Sequence, residues 1–124
     1  MFKDTTAFSG FSVDDIPAAK AFYLETLGLE VTEADGMLTL HLAGDRATLI
    51  YPKPNHVPAT YTILNFSVPD IEPVVDELGS RGVEFEHYTG TPGETDERGI
   101  FRKGGPPIAW FTDPAGNILS VIQQ

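Results

Sequence analysis

Histidine and carboxylate side chains are the groups from which this chain could build a metal or acid–base site. The sequence contains three histidines, His41, His56 and His87, together with 18 Asp and Glu residues and no cysteine. The histidines lie in separate segments without the paired spacing of a metal-binding motif, and the lack of cysteine excludes thiolate ligands and disulfides. We therefore predict no catalytic residue, no metal site and no cofactor. One alternative stays open, a non-standard metal site built from His41 and His87, because both lie on predicted strands.

The charge and composition of the chain exclude several classes of partner. Its 124 residues carry a net charge of −10, from 18 acidic against 8 basic residues. Nucleic-acid binding requires clustered Lys and Arg, so we expect no nucleic-acid partner. The sequence has no apolar run of membrane-spanning length and no signal-like N-terminus, which predicts a cytoplasmic protein without a membrane partner. The negative charge favours a cationic ligand, although it would equally serve as a solubilising surface.

A repeated segment organises the chain. The sequence FSVDDI at residues 11–16 returns as FSVPDI at residues 66–71, and GLEV at 28–31 is matched by GVEF at 82–85. Each copy runs from an apolar strand pattern through an aspartate N-cap into a helical pattern. Two copies of this length indicate a duplicated supersecondary unit.

Each repeat predicts the element order βαβββ within a single domain of residues 1–124. Unit one spans about 5–52, a proline-rich connector 53–60, and unit two about 61–124. The strands of unit one are predicted at 6–13, 29–33, 37–42 and 47–51, and those of unit two at 61–68, 83–88, 108–112 and 118–122. The Gly- and Pro-rich segment 89–107 is predicted to be a long loop that is either functional or disordered, and Ile100-Phe101 within it is predicted to form a short strand or an apolar latch. Asp113 is predicted to cap the turn at residues 113–117.

Two motifs give the sequence a family resemblance. Val13-Asp14-Asp15 leads to Phe22-Tyr23 and Leu27-Gly28, and the chain continues to Trp110-Phe111-Thr112-Asp113-Pro114-Ala115-Gly116-Asn117. With the paired βαβββ units, these motifs resemble the vicinal oxygen chelate superfamily of glyoxalases, bleomycin-resistance proteins and extradiol dioxygenases. The resemblance implies an α+β fold in which two units form cupped mixed sheets around a cavity. It also implies a homodimer.

The enzymes of that superfamily hold a metal ion with His and Glu side chains on four strands, and the resemblance identifies the equivalent positions. These positions are Phe8, Thr48, Ile63 and Ser120. Phe and Ile cannot coordinate a metal, and neutral hydroxyls replace carboxylates poorly. We therefore favour a metal-independent protein that sequesters a small organic molecule, similar to the antibiotic-binding branch. The alternatives are a lyase, isomerase or oxygenase with a relocated metal or none, and an interaction module without a ligand.

Strand alternation selects the residues that would line the cavity. The side chain of Phe8 shares a face with Ser12, and Ile63 shares one with Asn65. Such a surface is apolar with a few small polar groups, which suits an organic ligand that is cationic or aromatic. The candidate ligand-binding residues are Phe8, Ser12, His41, Thr48, Ile63, Asn65, Trp110 and Ser120. The alternative is that they fill a core, and that Trp110 is a core or dimer contact.

Overall fold

The computed structural model describes all of residues 1–124. The chain divides into two compact units, Met1–His56 and Val57–Gln124. Each unit contains one four-stranded mixed sheet and helical structure on one of its faces, which is the α+β arrangement expected from the repeats. Neither helix is long and apolar enough to cross a membrane.

Unit one follows the predicted βαβββ order. Its elements are β1 (Ser9–Val13), α1 (Ile16–Ala21), a π-helical turn (Phe22–Thr26), β2 (Glu30–Ala34), β3 (Met37–Leu42) and β4 (Arg46–Pro52). The strands lie in the order β1-β4-β3-β2, with β1 parallel to β4 and the other pairs antiparallel. The Asp15 carboxylate caps α1 by accepting the Ala18 N–H at 3.0 Å. Gly28, with a φ of 69°, follows the helical segment in the left-handed conformation.

Unit two repeats this order with a different edge. Its elements are β5 (Thr62–Val68), α2 (Ile71–Ser80), β6 (Ile100–Phe101), β7 (Ile108–Thr112) and β8 (Ile118–Gln123). The strand order β5-β8-β7-β6 matches that of unit one, and β5 is parallel to β8. Asp70 caps α2, which buries Ile71, Val75 and Leu78 along one side.

The predicted strand at 83–88 is wrong. That segment makes one isolated bridge, between Phe85 and Phe111, and the Glu86 N–H donates to the Trp110 carbonyl at 2.8 Å. Tyr88 has a φ of 49°, so the extended conformation ends there. The edge strand is instead β6, which lies inside the predicted loop 89–107 and pairs with β7.

The turn between β7 and β8 confirms the prediction for Asp113. Its Oδ1 accepts the N–H groups of Ala115 at 3.0 Å and Asn117 at 2.9 Å, and its Oδ2 accepts the Asn117 side-chain amide at 3.0 Å. The side chains of Asp113 and Asn117 are both buried. Asp113 therefore acts as the acceptor that closes this turn.

Candidate functional site

The sheet of unit two has two chemically different faces. The side chain of Gln123 accepts the Ile71 N–H at the start of α2 at 3.0 Å, so Gln123 points to the helix side of the sheet. Alternation along β8 then places Val121 and Leu119 on the helix side and Ser120 on the other. Trp110 is paired directly with Ser120 across β7 and β8, so both belong to the face away from α2. We call this surface, formed by Asn65, Phe101, Trp110 and Ser120 together with the Tyr88 ring that packs against Trp110, the Trp110 face.

A polar pair lies on the Trp110 face. Asn65 and Ser120 are register partners on β5 and β8, and the Ser120 hydroxyl donates to the Asn65 Oδ1 at 2.5 Å. Ser120 is fully buried, whereas Asn65 is exposed on the edge strand. Because the amide oxygen of Asn65 accepts the Ser120 hydroxyl, the Asn65 amide N–H groups are oriented to donate to a bound molecule.

Three aromatic rings form the apolar part of the Trp110 face. The ring centroid of Trp110 lies 5.4 Å from that of Tyr88 and 5.8 Å from that of Phe101. All three side chains are half-buried, so part of each ring remains accessible. Tilted rings of this kind supply flat apolar surface next to the Asn65 amide, an arrangement that suits a planar organic molecule.

The electrostatics of this cluster favour the neutral form of the Tyr88 phenol and positively charged ligands. Burial, and secondarily the negative charge of Glu86, raises the pKa of Tyr88 above its ordinary value of 10.0. Tyr88 therefore keeps its hydroxyl proton at neutral pH. Glu86 itself is half-buried and contributes a negative potential to this part of unit two.

Two of the predicted residues of unit one have hydrogen-bond partners on the face away from α1. Ser12 Oγ lies 2.6 Å from His56 Nδ1, and Ser12 is paired with Tyr51 on β4. His41 Nε2 lies 2.9 Å from Thr32 Oγ1 on the neighbouring strand. These residues form polar contacts along the sheet, and the structure gathers no aromatic cluster around them comparable to that of unit two.

Three other predicted residues lie apart from these groups. Thr48 is 4% exposed, bonds to Ser9 Oγ at 3.2 Å, and is paired with the buried Leu40, so it lies on the α1 side of its sheet. Phe8 precedes β1 and is 71% exposed. Ile63 lies at a register shift in β5 and has no paired residue on β8. Thr48 is thus on the opposite face from Ser12, which corrects the expectation that the two share one surface.

The ligand-binding candidates predicted from the sequence did not include Tyr88 or Phe101. Tyr88 was expected at the end of a regular strand. Ile100-Phe101 was expected to form a short strand or an apolar latch within the loop, and the structure confirms the short strand as β6. The apolar pair in a Gly-rich polar stretch is the signal that also marks Phe101 as a candidate contact.

Comparison with known proteins identifies the family. The model of the glyoxalase/bleomycin resistance protein/dioxygenase superfamily matches residues 6–121. The chain belongs to this superfamily. No curated protein matches it.

Several solved structures are similar to this superfamily member. A glyoxalase family protein from Enterococcus faecalis is 26% identical, with a TM-score of 0.70 and coverage of 98% of this chain and 99% of that one. TnmS3, an antibiotic-binding protein from Streptomyces sp. CB03234, is 24% identical, with a TM-score of 0.66 and 97% coverage of both chains. The fosfomycin resistance protein FosX from Mesorhizobium loti is 14% identical, with a TM-score of 0.66 and coverage of 98% of this chain and 92% of that one. These likenesses establish the fold.

The side chains of this superfamily member do not fit the metal of the family's enzymes. No group of three His, Asp or Glu residues in the chain is arranged to hold an ion. His41 is bonded to Thr32, and His87 Nδ1 lies 3.2 Å from both the Asp96 carbonyl and Thr95 Oγ1. Of the four positions that the resemblance identifies, Phe8 and Ile63 carry no donor atom. Thr48 lies on the α1 side of its sheet and bonds to Ser9, whereas Ser120 lies away from α2 and bonds to Asn65.

Proposed function

We propose that this chain binds a planar, cationic organic molecule on the Trp110 face without a metal ion. The observation that carries the proposal is the combination on one sheet face of three aromatic rings with the Asn65–Ser120 pair. The rings would contact the flat surfaces of the ligand, and the Asn65 amide would donate to an acceptor on its edge. A protein of this kind would act by sequestration, lowering the free concentration of a toxic molecule such as an antibiotic.

Charge and family both support a small cationic ligand. The net charge of −10 attracts cations, and Glu86 adds a negative group near the aromatic rings. A cation over an aromatic face gains about 0.5–2 kcal/mol, depending on how far it is desolvated. Among proteins of similar fold, TnmS3 is an antibiotic-binding protein and FosX a fosfomycin resistance protein. An antibiotic is therefore the natural first ligand class.

Trp110 is the only tryptophan, so its fluorescence reports directly on the proposed site. Two probes of equal shape, cationic 9-aminoacridine and neutral acridine, would be titrated at pH 7.5 while Trp110 emission is recorded. We expect saturable quenching by both, tighter binding of the cation, and a concentration-dependent rise in melting temperature. Absence of quenching with either probe would contradict the aromatic site, and equal affinity would contradict the preference for cations.

A matched pair of variants locates the binding. Phe101→Leu removes one ring from the Trp110 face, whereas Phe2→Leu removes a ring that is 71% exposed in unit one. Isothermal titration with 9-aminoacridine should show weaker binding for the first variant and unchanged binding for the second. If Phe2→Leu weakens 9-aminoacridine binding, or if Phe101→Leu leaves it unchanged, the ligand does not bind on the Trp110 face.

Metal independence has its own test. Protein purified without a His tag would be analysed for metal content and then heated with Ni, Zn, Mn or Fe(II). We expect no stoichiometric metal and no shift in melting temperature. A stabilising metal would redirect attention to His41 and His87 and to the enzymatic members of the superfamily.

We also infer a homodimer, supported by large apolar side chains on the surface. Val57 is 81% exposed and Tyr61 70% exposed, and Phe8 is similarly open. Apolar groups of this size are often covered by a partner, and a second copy of the chain is the simplest one. Light scattering after gel filtration should give twice the 13.5 kDa chain mass, and a monomer at micromolar concentration would contradict this inference.

A further inference from the structure

One carboxylate organises the loop that carries Phe101 to the Trp110 face. Asp96 Oδ1 accepts the N–H groups of Arg98 and Ile100, each at 2.9 Å, and the Asp96 N–H donates to the Ile100 carbonyl at 2.8 Å. Asp96 Oδ2 accepts from Arg102 Nε at 3.1 Å. The residue before Phe101 and the residue after it are therefore both bonded to the same side chain.

The backbone beside Asp96 reaches the other aromatic side chain of the cluster. The Thr95 N–H donates to the His87 carbonyl at 2.9 Å, and His87 Nδ1 lies 3.2 Å from the Asp96 carbonyl. His87 immediately precedes Tyr88, whose ring contacts Trp110. The segment around Asp96 is thus bonded both to the residue before Tyr88 and to the residues beside Phe101, the two aromatic residues whose rings contact Trp110.

The same segment is attached to α2 by ion pairs. Arg98 bonds to Glu72 at 2.5 Å and to Asp76, and Arg102 lies 3.4 Å from Glu72. Both arginines are therefore paired with helix carboxylates. Asp96 acts as a hydrogen-bond acceptor within the loop. An exposed ion pair alone contributes little, but three hydrogen bonds to one carboxylate constrain the backbone between them.

We infer that Asp96 is the positioning residue of the Trp110 face, holding Phe101, and through the adjacent backbone Tyr88, in the orientation that a planar ligand requires. This inference rests on the proposed function for its binding consequence, but the orientation of the rings is measurable without a ligand. Replacing Asp96 with alanine removes every side-chain bond, whereas asparagine keeps an oxygen for the two backbone N–H groups. The asparagine amide would meet Arg102 Nε–H donor to donor. Asp96→Asn should therefore disturb the positions of the aromatic rings less than Asp96→Ala does.

The test compares Asp96→Ala, Asp96→Asn and the control Glu97→Gln, which makes the same charge change as Asp96→Asn at the exposed neighbouring residue. Near-UV circular dichroism and Trp110 emission would report ring packing, far-UV melting would report stability, and calorimetry would report 9-aminoacridine affinity. We expect a loss of near-UV signal and about tenfold weaker binding for alanine, as for the loss of a charged hydrogen-bond acceptor. Asparagine should give an intermediate result, and Glu97→Gln should match the wild type.

The outcomes separate the two proposals. If the wild type fails to bind either acridine, the proposed function fails, and the near-UV spectra alone then decide the role of Asp96. If Asp96→Ala lowers the melting temperature but keeps the wild-type near-UV spectrum and affinity at 15 °C, Asp96 is only a stabilising residue and the inference is overturned. A Glu97→Gln effect as large as that of Asp96→Asn would also overturn it, because general charge would then explain both.

Discussion

The two units share one topology and differ in what occupies equivalent positions. The repeated Phe-Ser-Val makes Phe11 the equivalent of Phe66, and their register partners are Ile50 and Val121. One residue earlier, the polar pair Asn65–Ser120 corresponds to Gly10 paired with Leu49. A Cβ at Gly10 would lie 3.2 Å from the Leu49 carbonyl oxygen, so unit one has little room for an asparagine there. The same frame thus supports a polar recognition pair in one unit and an apolar contact in the other.

The sheet edges differ in the same sense. In unit one the outer strand is β2, a regular five-residue strand paired with β3 along its length. In unit two the corresponding edge is divided between the Phe85 bridge and the two-residue β6, with a loop between them. Tyr88 from that loop and Phe101 from β6 both contact the ring of Trp110. Departure from the repeat, rather than the repeat itself, therefore marks the candidate site.

The largest expected effect comes from the turns. Asp113→Ala would leave the buried Asn117 amide without its acceptor and should lower stability by about 3 kcal/mol. The equivalent turn of unit one contains the exposed Asp45 with a φ of 56°, so Asp45→Ala should cost only the strain of a left-handed alanine, about 1 kcal/mol. Urea denaturation of both variants checks the contrast. Equal losses would show that the two turns contribute alike.

A smaller effect should separate the two sheet faces. Ser120→Ala frees the Asn65 oxygen and should weaken 9-aminoacridine binding about fivefold, the equivalent of ~1 kcal/mol. Thr48→Ala breaks the bond to Ser9 on the α1 side, so it should reduce stability and leave affinity unchanged. Calorimetry and melting curves measure both quantities. If Thr48→Ala weakens 9-aminoacridine binding, the proposal that only the Trp110 face binds the ligand is contradicted.

Acid should affect the loop of unit two in a defined direction. Burial, the largest single influence, raises the pKa of Asp96, but hydrogen bonds from Ile100, Arg102 and Arg98 outweigh it and hold the pKa below the ordinary 3.8. A lowered folded-state pKa means that the carboxylate stabilises the fold above the unfolded pKa, and that this contribution is lost as the pH falls through the folded value.

The near-UV signal of the wild type should therefore persist as the pH falls to about 3.8 and decline below it. The groups that face Asp96 are Arg98, Arg102 and His87, and Glu72 and Asp76 contact the same arginines. Asp96→Asn provides the reference, since its spectrum should lack this transition. An identical transition in that variant would show that Asp96 is not its source.

The smallest effect concerns Tyr88. Its raised pKa means that the phenol ionises only above 10.0, and that the stability associated with its neutral form is lost as the pH rises further. Subtracting the alkaline absorbance titration of Tyr88→Phe from that of the wild type isolates this group. A midpoint at or below 10.0 would show that the ring is more solvated than the cluster around Trp110 implies.

Much of this architecture could be predicted from local sequence, and the exceptions have physical causes. Alternation placed Asn65 and Ser120 among the residues expected to line the cavity, because parity along a strand fixes the face of a side chain. That the two are register partners follows only from the pairing of β5 with β8 in the structure. Thr48 was misplaced by one position, and a one-residue error on a strand moves a side chain to the opposite face. The segment 83–88 has strand-like composition, but its conformation depends on the left-handed Tyr88 and on long-range bonds to Asp96. Local patterns carry no signal for either.

Two glycines of the loop differ in whether they could be replaced by a larger residue. Gly99 has a φ of 86°, and a Cβ there would lie 2.5 Å from the Phe85 Cβ, so any larger residue would push Phe85 from Phe111. Gly104, in the same loop, has no heavy atom within 4 Å of its own Cβ position. Random libraries and homologous sequences should therefore retain glycine at 99 while varying freely at 104. The loop therefore combines a position that accepts only glycine with a permissive position five residues later, so new side chains for ligand contact can be added at residue 104 without disturbing Phe85.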